Sequence, residues 1–392
     1  MKVLVLGFGL QGKAVVHDLE QSAAVTQITA ADIEAGKAKA YAASKGYRKL
    51  QVAALDATQP ERLRQLLRET EPQVLVCMLP ADFQPVIARA AIDSGVPYVS
   101  TSYAGALPEL DGLAREKGIT VLPEMGMDPG IDLIMGRLCI DELDVVHGMR
   151  SYGTGVPEPA SAADNPIHYK ITWTFEGVLK AYMRPARFLK NGKEVTIPGG
   201  QILREEYGHT VEVPGLGVME AYYNGDAIRF IDVFGLGPEL NQMSRFAMRW
   251  PGNNAFWRVM AELGFLDETP ILVGDAEISP RRFVVEHLTP RLQFRENERD
   301  VVVLRVETWG LKQGRPLRVI YEMIDYRDLE TGFFAMNRTV GFTASIAAQM
   351  ILAGKIRKPG VLSPVRDVPH REVLTELEKR GIKITRREEG NA

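Results

Sequence analysis

Six residues near the start of the chain, Gly7-Phe8-Gly9-Leu10-Gln11-Gly12, have the G-x-G-x-x-G spacing that lets a backbone close around a phosphate. Gly7 permits a tight turn, Gly9 lets backbone N–H groups approach a pyrophosphate, and Gly12 lets a helix pack closely on a strand. The positive end of that helix then faces the anion. Twenty residues beyond Gly12, Asp32 stands where a carboxylate accepts hydrogen bonds from the 2′-hydroxyl of an adenosine ribose and repels a 2′-phosphate. Ile33 follows it, and no Lys or Arg appears until Lys37. The expected cofactor is therefore NAD, with NADP the less favoured alternative. Asp32 can also cap the helix after it. Asp56, in the run AALDAT, ends a third strand and either approaches the adenine or caps the next helix. Met78-Leu79-Pro80 ends a fourth, where a parallel sheet opens its ligand crevice.

Such a site needs strands delivered side by side, and the first 125 residues have that alternation. Residues 2–6, 27–31, 50–55, 73–79, 97–101 and 119–122 read as strands, with helices over 13–20, 33–45, 60–69, 83–94 and 109–117. This predicts an α/β chain whose residues 1–125 form a doubly wound parallel Rossmann sheet. Beyond residue 126 the pattern turns irregular, with β-like runs at 301–308 and 317–325 and a helix expected within 281–296. A second, α+β domain for substrate binding and dimerisation is expected over 126–340. Helices over 343–352 and 371–380, ahead of a charged tail, belong to a segment 341–392 expected to return to the first domain.

The chain has 392 residues, 45% hydrophobic, with 47 Lys+Arg against 50 Asp+Glu, and this near balance argues against a nucleic-acid surface or a polybasic membrane face. Its partner is expected to be a small molecule. No apolar run reaches membrane-spanning length and no signal-peptide pattern opens the chain, so a cytoplasmic protein is expected. Cys77 and Cys139 lie in apolar contexts and read as buried hydrophobes. His17, His147, His168, His209, His287 and His370 are scattered without ligand spacing, so no metal is expected, although His168 and His209 could exchange protons. Tyr41 and Lys45 match the Y-x-x-x-K pair of short-chain dehydrogenases, but they fall in the helix after the second strand, too early for that role.

Three further segments stand out: Thr101-Ser102-Tyr103, Glu124-Met125-Gly126-Met127-Asp128-Pro129-Gly130-Ile131-Asp132, and Asn165-Pro166 followed by Tyr169-Lys170-Ile171-Thr172-Trp173-Thr174. Together with the glycine loop they resemble the saccharopine dehydrogenase family, whose glutamate-forming reductases carry TTSY, E-x-G-L-D-P-G-I-D and DNP…YK-x-S-W-S. The resemblance runs through nearly the whole chain and thins between about 185 and 216. It implies hydride transfer at a C–N bond of a lysine-derived amino acid, a cleft between a Rossmann domain and a second domain, and a homodimer. It also implies that Ser102 and Tyr103 lie between nicotinamide and substrate, with Met127, Asp128 and Pro129 against the cofactor. Trp173 and Thr174 would wall the cleft, and Asn224 and Asp226 match the family's substrate-binding N-R-D, with Gly225 in place of the Arg.

Oxidising an amine with NAD needs a neutral amine, a C–H bond aimed at the nicotinamide, and groups that hold the substrate's charges. Asp128 and Glu124 can balance or relay an ammonium proton, Tyr103 can orient the amine, and Lys170 or Arg204 could meet carboxylates. Asp128, before Pro129 and Gly130, is equally a helix cap, and Trp173 equally a core residue. Two departures matter: Asp32 where the fungal reductases look NADP-type, and Glu176 where they have Arg and the lysine 6-dehydrogenases of the family have Glu. A reductase-like enzyme is the leading expectation, an L-lysine 6-dehydrogenase the alternative, and a redox-inactive dinucleotide-binding regulator the alternative of another class.

Overall fold

Strand β1 (Lys2–Leu6) is buried from Val3 onward, as a strand covered on both faces must be. The chain then alternates through α1 (Leu10–Gln21), β2 (Gln27–Asp32), α2 (Ala35–Lys45), β3 (Leu50–Ala54), α3 (Pro60–Thr70), β4 (Val74–Cys77), α4 (Gln84–Asp93), β5 (Tyr98–Ser100), α5 (Asp111–Lys117) and β6 (Thr120–Leu122). These strands pair in the order β6-β5-β4-β1-β2-β3, all parallel. The order reverses at β1, so the loops after β1 and β4 diverge and leave the crevice in which such sheets bind ligands.

The second part of the chain contains α6 (Ile131–Asp141), β7 (Val145–Pro157), α7 (Pro159–Ala162), α8 (Phe175–Tyr182), β8 (Ala186–Lys190), β9 (Lys193–Ile197), β10 (His209–Val213), β11 (Gly217–Tyr223), α9 (Arg229–Phe234) and β12 (Gln242–Arg249). It continues with α10 (Asn253–Glu262), β13 (Ile271–Val273), β14 (Ala276–Ile278), α11 (Pro280–Leu288), β15 (Asp300–Lys312) and β16 (Arg315–Tyr326). The helix expected within 281–296 is α11 followed by a short 3-10 turn, Thr289–Arg291. The chain ends with α12 (Ala335–Leu352), β17 (Gly360–Val361), α13 (His370–Lys379) and β18 (Ile384–Glu389). A nine-stranded mixed sheet runs β10-β11-β12-β7-β15-β16-β18, with β8 joined to β12 and β9 to β8. Tyr152, Phe246, Met248, Val301 and Val303 belong to a core cluster on it.

This computed structural model describes residues 1–390. They form two units, Met1–Ile134 with Asn337–Lys383, and Met135–Met336 with the segment from Ile384. The breaks fall at 134/135 and 336/337 rather than the expected 125/126 and 340/341. Helix α13 and most of α12 belong to the first unit. A Cβ at Gly341 would stand 2.7 Å from that of Ala14, and Arg380 and Ser345 both reach Asp18 at 2.6 Å. β17 adds a seventh strand beside β6. The charged tail is instead β18, paired antiparallel with β16. In the second unit, the buried Asp300 carboxylate caps α12, accepting from Ala335 N at 2.7 Å and Met336 N at 3.0 Å.

Candidate functional site

The glycine loop leaves β1 with Gly7 at φ +89° and its N–H donated to Ala31 O at 2.9 Å. A Cβ at Gly12 would stand 2.0 Å from Gly7 O, so α1 can lie this close to the turn only with glycine there. A Cβ at Gly9 would meet nothing within 4 Å, so the space in front of the α1 N-terminus is open to a ligand. Asp32 Oδ2 accepts from Phe8 N at 2.7 Å and Oδ1 from Glu34 N at 2.8 Å. The carboxylate therefore ties the glycine loop to the end of β2, and its remaining lone pairs are left for a ribose. Ile33 is exposed, while Phe8 is buried with its ring edge-on to Tyr41. Lys13 Nζ lies 4.4 Å from the Tyr41 centroid, and Lys45 is 5.8 Å from it. Tyr41 is thus part of the loop's support rather than a proton donor. Across the crevice Met78 and Leu79 pack on the turn, 3.3 Å and 3.1 Å from a Cβ at Gly7, and Pro80 follows on the surface.

Of the two roles open to Asp56, the structure has the local one. Its carboxylate accepts from Thr58 N at 2.9 Å, Thr58 Oγ1 at 2.7 Å and Gln59 Nε2 at 3.1 Å, closing the loop ahead of α3. These hydrogen bonds hold its pKa below the ordinary carboxylate value.

The segments around Tyr103 and Asp128 meet at the carboxyl ends of β5 and β6. Met125 N donates to Ser100 O at 2.9 Å, Glu124 N to Ser102 O at 3.1 Å, and Ala104 N to Glu124 Oε1 at 3.2 Å. Tyr103 Oη donates to Asp128 Oδ1 at 2.9 Å. Ile131 N and Asp132 N, the first donors of α6, go to Gly126 O at 3.0 Å and Met127 O at 3.2 Å, and Gly130 N goes to Asp132 Oδ1 at 2.8 Å. Met127 is buried and Pro129 O accepts from Gly126 N at 3.0 Å, so both residues shape the loop. Glu124 is buried with φ +63°, a left-handed backbone that a non-glycine residue holds only when its surroundings impose it.

In the second unit, Trp173 is 48% exposed, which excludes a purely core role, and Thr174 precedes α8. A Cβ at Gly177 would stand 2.8 Å from the Trp173 ring and 2.4 Å from Thr174 Oγ1, so Gly177 fixes both. Glu176 forms an exposed pair with Lys180 at 2.8 Å. Asn224 and Asp226 flank Gly225 in the turn after β11, where Asn224 N donates to Arg245 O at 2.9 Å. Among the described residues no hydrogen bond or ion pair joins Asn224 or Asp226 to Trp173 or Thr174.

Sequence reasoning missed Arg187. From β8 its guanidinium reaches Asp226 Oδ2 at 2.9 Å, bringing an arginine to the acid whose neighbour is Gly225. It also missed Arg249, buried among Tyr169, Tyr182 and Tyr222, which nothing in the run FAMRWP marks out. Lys170 and Arg204 are used internally: Lys170 Nζ is held by Glu298 at 2.6 Å and Asp164 at 3.2 Å, and Arg204 pairs with Glu262 at 3.0 Å. His209 Nε2 lies 3.1 Å from Tyr152 Oη, and burial lowers its pKa. Cys77 and Cys139 are buried, and burial raises both thiols, to about 11 and about 12. Among the described residues no group of three or more His, Cys, Asp or Glu side chains is placed to hold a metal ion.

A glycine loop at the reversal point of a parallel sheet, tied to an acid at the end of β2, defines a dinucleotide-binding α/β protein. The model of the saccharopine dehydrogenase NADP binding domain matches residues 3–122, and that of the saccharopine dehydrogenase C-terminal domain matches residues 126–382. The chain belongs to the saccharopine dehydrogenase family. It is 28% identical to the Saccharomyces cerevisiae protein named saccharopine dehydrogenase [NADP(+), L-glutamate-forming], over 97% of each chain. It is 26% identical to the mitochondrial alpha-aminoadipic semialdehyde synthase of Bos taurus, covering 98% of this chain and 47% of that one, so it spans about half of that relative's length. The structure of apo saccharopine dehydrogenase (L-Glu forming) from Saccharomyces cerevisiae superposes with a TM-score of 0.87 at 26% identity, over 99% of this chain and 100% of that one.

Proposed function

We propose that the protein is an NAD(P)-dependent oxidoreductase acting at the C–N bond of saccharopine or a closely related lysine-derived amino acid. The observation that carries this reading is the Tyr103 Oη to Asp128 Oδ1 hydrogen bond of 2.9 Å, at the same carboxyl edge of the sheet as the glycine loop. Bound nicotinamide supplies the hydride acceptor. The open N-terminus of α1 would receive its pyrophosphate, and Asp32 the adenosine ribose. The Tyr103–Asp128 pair is poised to orient the substrate nitrogen and hold its proton, with the buried Glu124 carboxyl accepting from Ala104 N next to Tyr103. Ser102, Met127 and Pro129 shape the wall on which the pair stands. Trp173, Thr174, Asn224 and Asp226 are the proposed substrate contacts of the second unit, where Arg187 is held by Asp226 and Glu194.

The Saccharomyces cerevisiae relative is named for NADP and the matching first domain is that of an NADP binding domain, but Asp32 favours NAD here because its charge stands where a 2′-phosphate would lie. A cytoplasmic setting is part of the proposal; among the described residues no helix is long and apolar enough to cross a membrane. The test follows reduced cofactor near ~340 nm, a property of the nicotinamide, with NAD and NADP each offered against saccharopine and against lysine. Saccharopine-dependent reduction is expected, falling about 100-fold in kcat in Tyr103→Phe if the phenol is a proton-transfer partner. Dinucleotide binding without amine-dependent turnover would overturn the enzymatic reading in favour of a regulator.

A further inference from the structure

Three buried cations of the second unit, Lys170, Arg281 and Arg305, are each set against an acid: Glu298 at 2.6 Å, Glu268 at 2.7 Å, and Glu322. The cost of taking a charge out of water requires such pairing. Arg249, the last residue of β12, is only 7% exposed and breaks the pattern. All its partners are neutral. Nε donates to Tyr182 Oη at 3.3 Å, and Nη1 donates to Met248 O at 2.7 Å and Thr154 Oγ1 at 3.3 Å. The guanidinium carbon lies 5.9 Å from the Tyr169 ring centroid and 5.8 Å from that of Tyr222. These ring faces soften the cost of burial but bring no counter-charge. Among the described residues no carboxylate pairs with Arg249, and Nη2 donates to none of their groups. Nη2 is also not one of the sealed atoms, whereas Tyr169 Oη, on the same cage, is sealed and without a partner. The cage therefore holds a net positive charge and is short of acceptors.

The cage shares its segments with the proposed substrate contacts of this unit. Tyr169 stands four residues before Trp173, and Tyr182 lies on α8, the helix that Thr174 leads into. Thr154 is followed by Gly155, whose carbonyl accepts from Thr172 Oγ1 at 3.2 Å. Other cations of these segments are held by acids, Arg187 by Glu194 and Asp226 and Lys180 by Glu176. We infer that Arg249 is a carboxylate anchor of the second unit, its Nη2 donating to a carboxylate of the substrate bound beside Trp173 and Thr174. A fixed acid in the protein would cancel the charge in advance, whereas an open guanidinium edge gains its partner only when the ligand arrives. One guanidinium in a neutral aromatic cage balances one negative charge, which suits a carboxylate better than a phosphate carrying two. That the carboxylate belongs to a saccharopine-like amino acid rests on the function proposed above; that the cage takes a carboxylate does not.

The test is calorimetric titration of saccharopine, and separately of glutarate, into the full chain saturated with NADH, where no hydride can leave the substrate. Wild type is expected to bind both. Arg249→Met should bind each roughly 10- to 100-fold more weakly, the loss of a hydrogen bond to a charged group, with NADH affinity unchanged. Arg249→Lys should recover part of the loss, because it returns the charge without the planar fork. The methionine variant should keep its circular dichroism and melt close to wild type. Thr154 Oγ1 already donates to Met248 O at 2.7 Å, and exchanging an unpaired buried charge for an apolar side chain of similar length is not destabilising. Folded variants that bind both ligands like wild type overturn the inference. So do variants that both unfold, which would make the guanidinium part of the core. A wild type that binds neither ligand overturns it as well. A wild type that binds glutarate but not saccharopine, with glutarate binding lost in Arg249→Met, supports the anchor and overturns the substrate proposed above.

Discussion

Gly9 and Gly12 lie three residues apart and would fail in opposite ways. A Cβ at position 12 stands 2.0 Å from Gly7 O and 3.0 Å from Gly7 C, and because both are backbone atoms no rotamer change relieves the collision. Overpacking of this kind costs about 1–3 kcal/mol, and a backbone obstacle places it near the top of that range. Alanine returns about 1 kcal/mol of helix propensity. The net loss of about 2 kcal/mol should lower the Tm of the unit by roughly 4–8 °C in Gly12→Ala, without any nucleotide present. At position 9 the added Cβ meets nothing within 4 Å, and φ −71°, ψ −160° suits alanine. Gly9→Ala should therefore keep its Tm within about 2–3 °C, the small loss expected of alanine at a helix cap. Yet the new methyl would stand where the pyrophosphate must approach. Scanning fluorimetry without and with reduced cofactor, followed by a fluorescence titration, separates the two. Gly9→Ala should lose at least about tenfold in affinity, ~1.4 kcal/mol, and the ligand-induced rise in Tm. A Gly9→Ala protein that binds like wild type, or a Gly12→Ala protein that melts like it, would refute the assignment of the loop.

Asp32→Asn removes the charge facing a 2′-phosphate while keeping one acceptor for Phe8 N or Glu34 N; the NADP to NAD ratio of kcat/KM should rise about tenfold, ~1.4 kcal/mol, and an unchanged ratio would move cofactor choice elsewhere. Burial raises the Asp300 pKa to about 6, so between roughly pH 4 and 6 the native state binds more protons than the unfolded chain and this residue's contribution to stability falls as pH rises. Urea unfolding of wild type against Asp300→Asn should show the difference shifting toward wild type by about 1–2 kcal/mol from pH 7 to pH 5; a pH-independent difference would contradict the sign. Lys170→Met strands the Glu298 carboxylate and should destabilise by about 3 kcal/mol, recovered in part by Lys170→Met/Glu298→Leu, with KM unchanged because Lys170 is already held inside the unit; a raised KM in the double variant would restore Lys170 as a substrate contact.

The first unit was legible because periodicity and glycine spacing both carry its information: a strand, a turn that needs Gly7, a helix that needs Gly12, an acid at the end of the next strand. The second sheet was hidden by its own packing. β7 reads as irregular because of its glycines, but two of them are close approaches: a Cβ at Gly148 would stand 2.1 Å from the Trp309 ring, and one at Gly155 2.5 Å from Met336 Cε. Which ring crosses which strand is not written locally. β18 reads as a charged tail because its residues are mostly charged. Arg387 reaches Glu322 at 3.2 Å and Arg386 pairs with Glu142, on either side of an edge strand. Arg187 lies where the motifs thin, and only the register of β8 against β9 and the turn at Gly225 brings it to Asp226.

The loop from Glu124 to Gly130 connects backbone strain with chemistry. Gly126 and Gly130 face each other so closely that a Cβ at Gly130 would stand 2.1 Å from Gly126 O, while one at Gly126 would stand 3.1 Å from Thr101 O. Glu124 is held left-handed by its N–H to Ser102 O and its carboxylate to Ala104 N. The Glu124 end of the loop is thus pinned to the segment that carries Tyr103. Ile131 N and Asp132 N of α6 go to Gly126 O and Met127 O, and the Asp128 carboxylate accepts from the phenol. A flexible loop would have to order the Tyr–Asp pair on each encounter with a substrate; this one holds it in place beforehand, which is how a fixed pair can favour a transition state over water. Glycines in this loop are therefore positioning residues. Gly130→Ala should lower kcat far more than it weakens dinucleotide binding, because the collision falls on the Asp128 turn and leaves the Gly7–Gly12 loop untouched. Equal loss of both would mean that the loop supports the fold of the unit rather than the geometry of the pair.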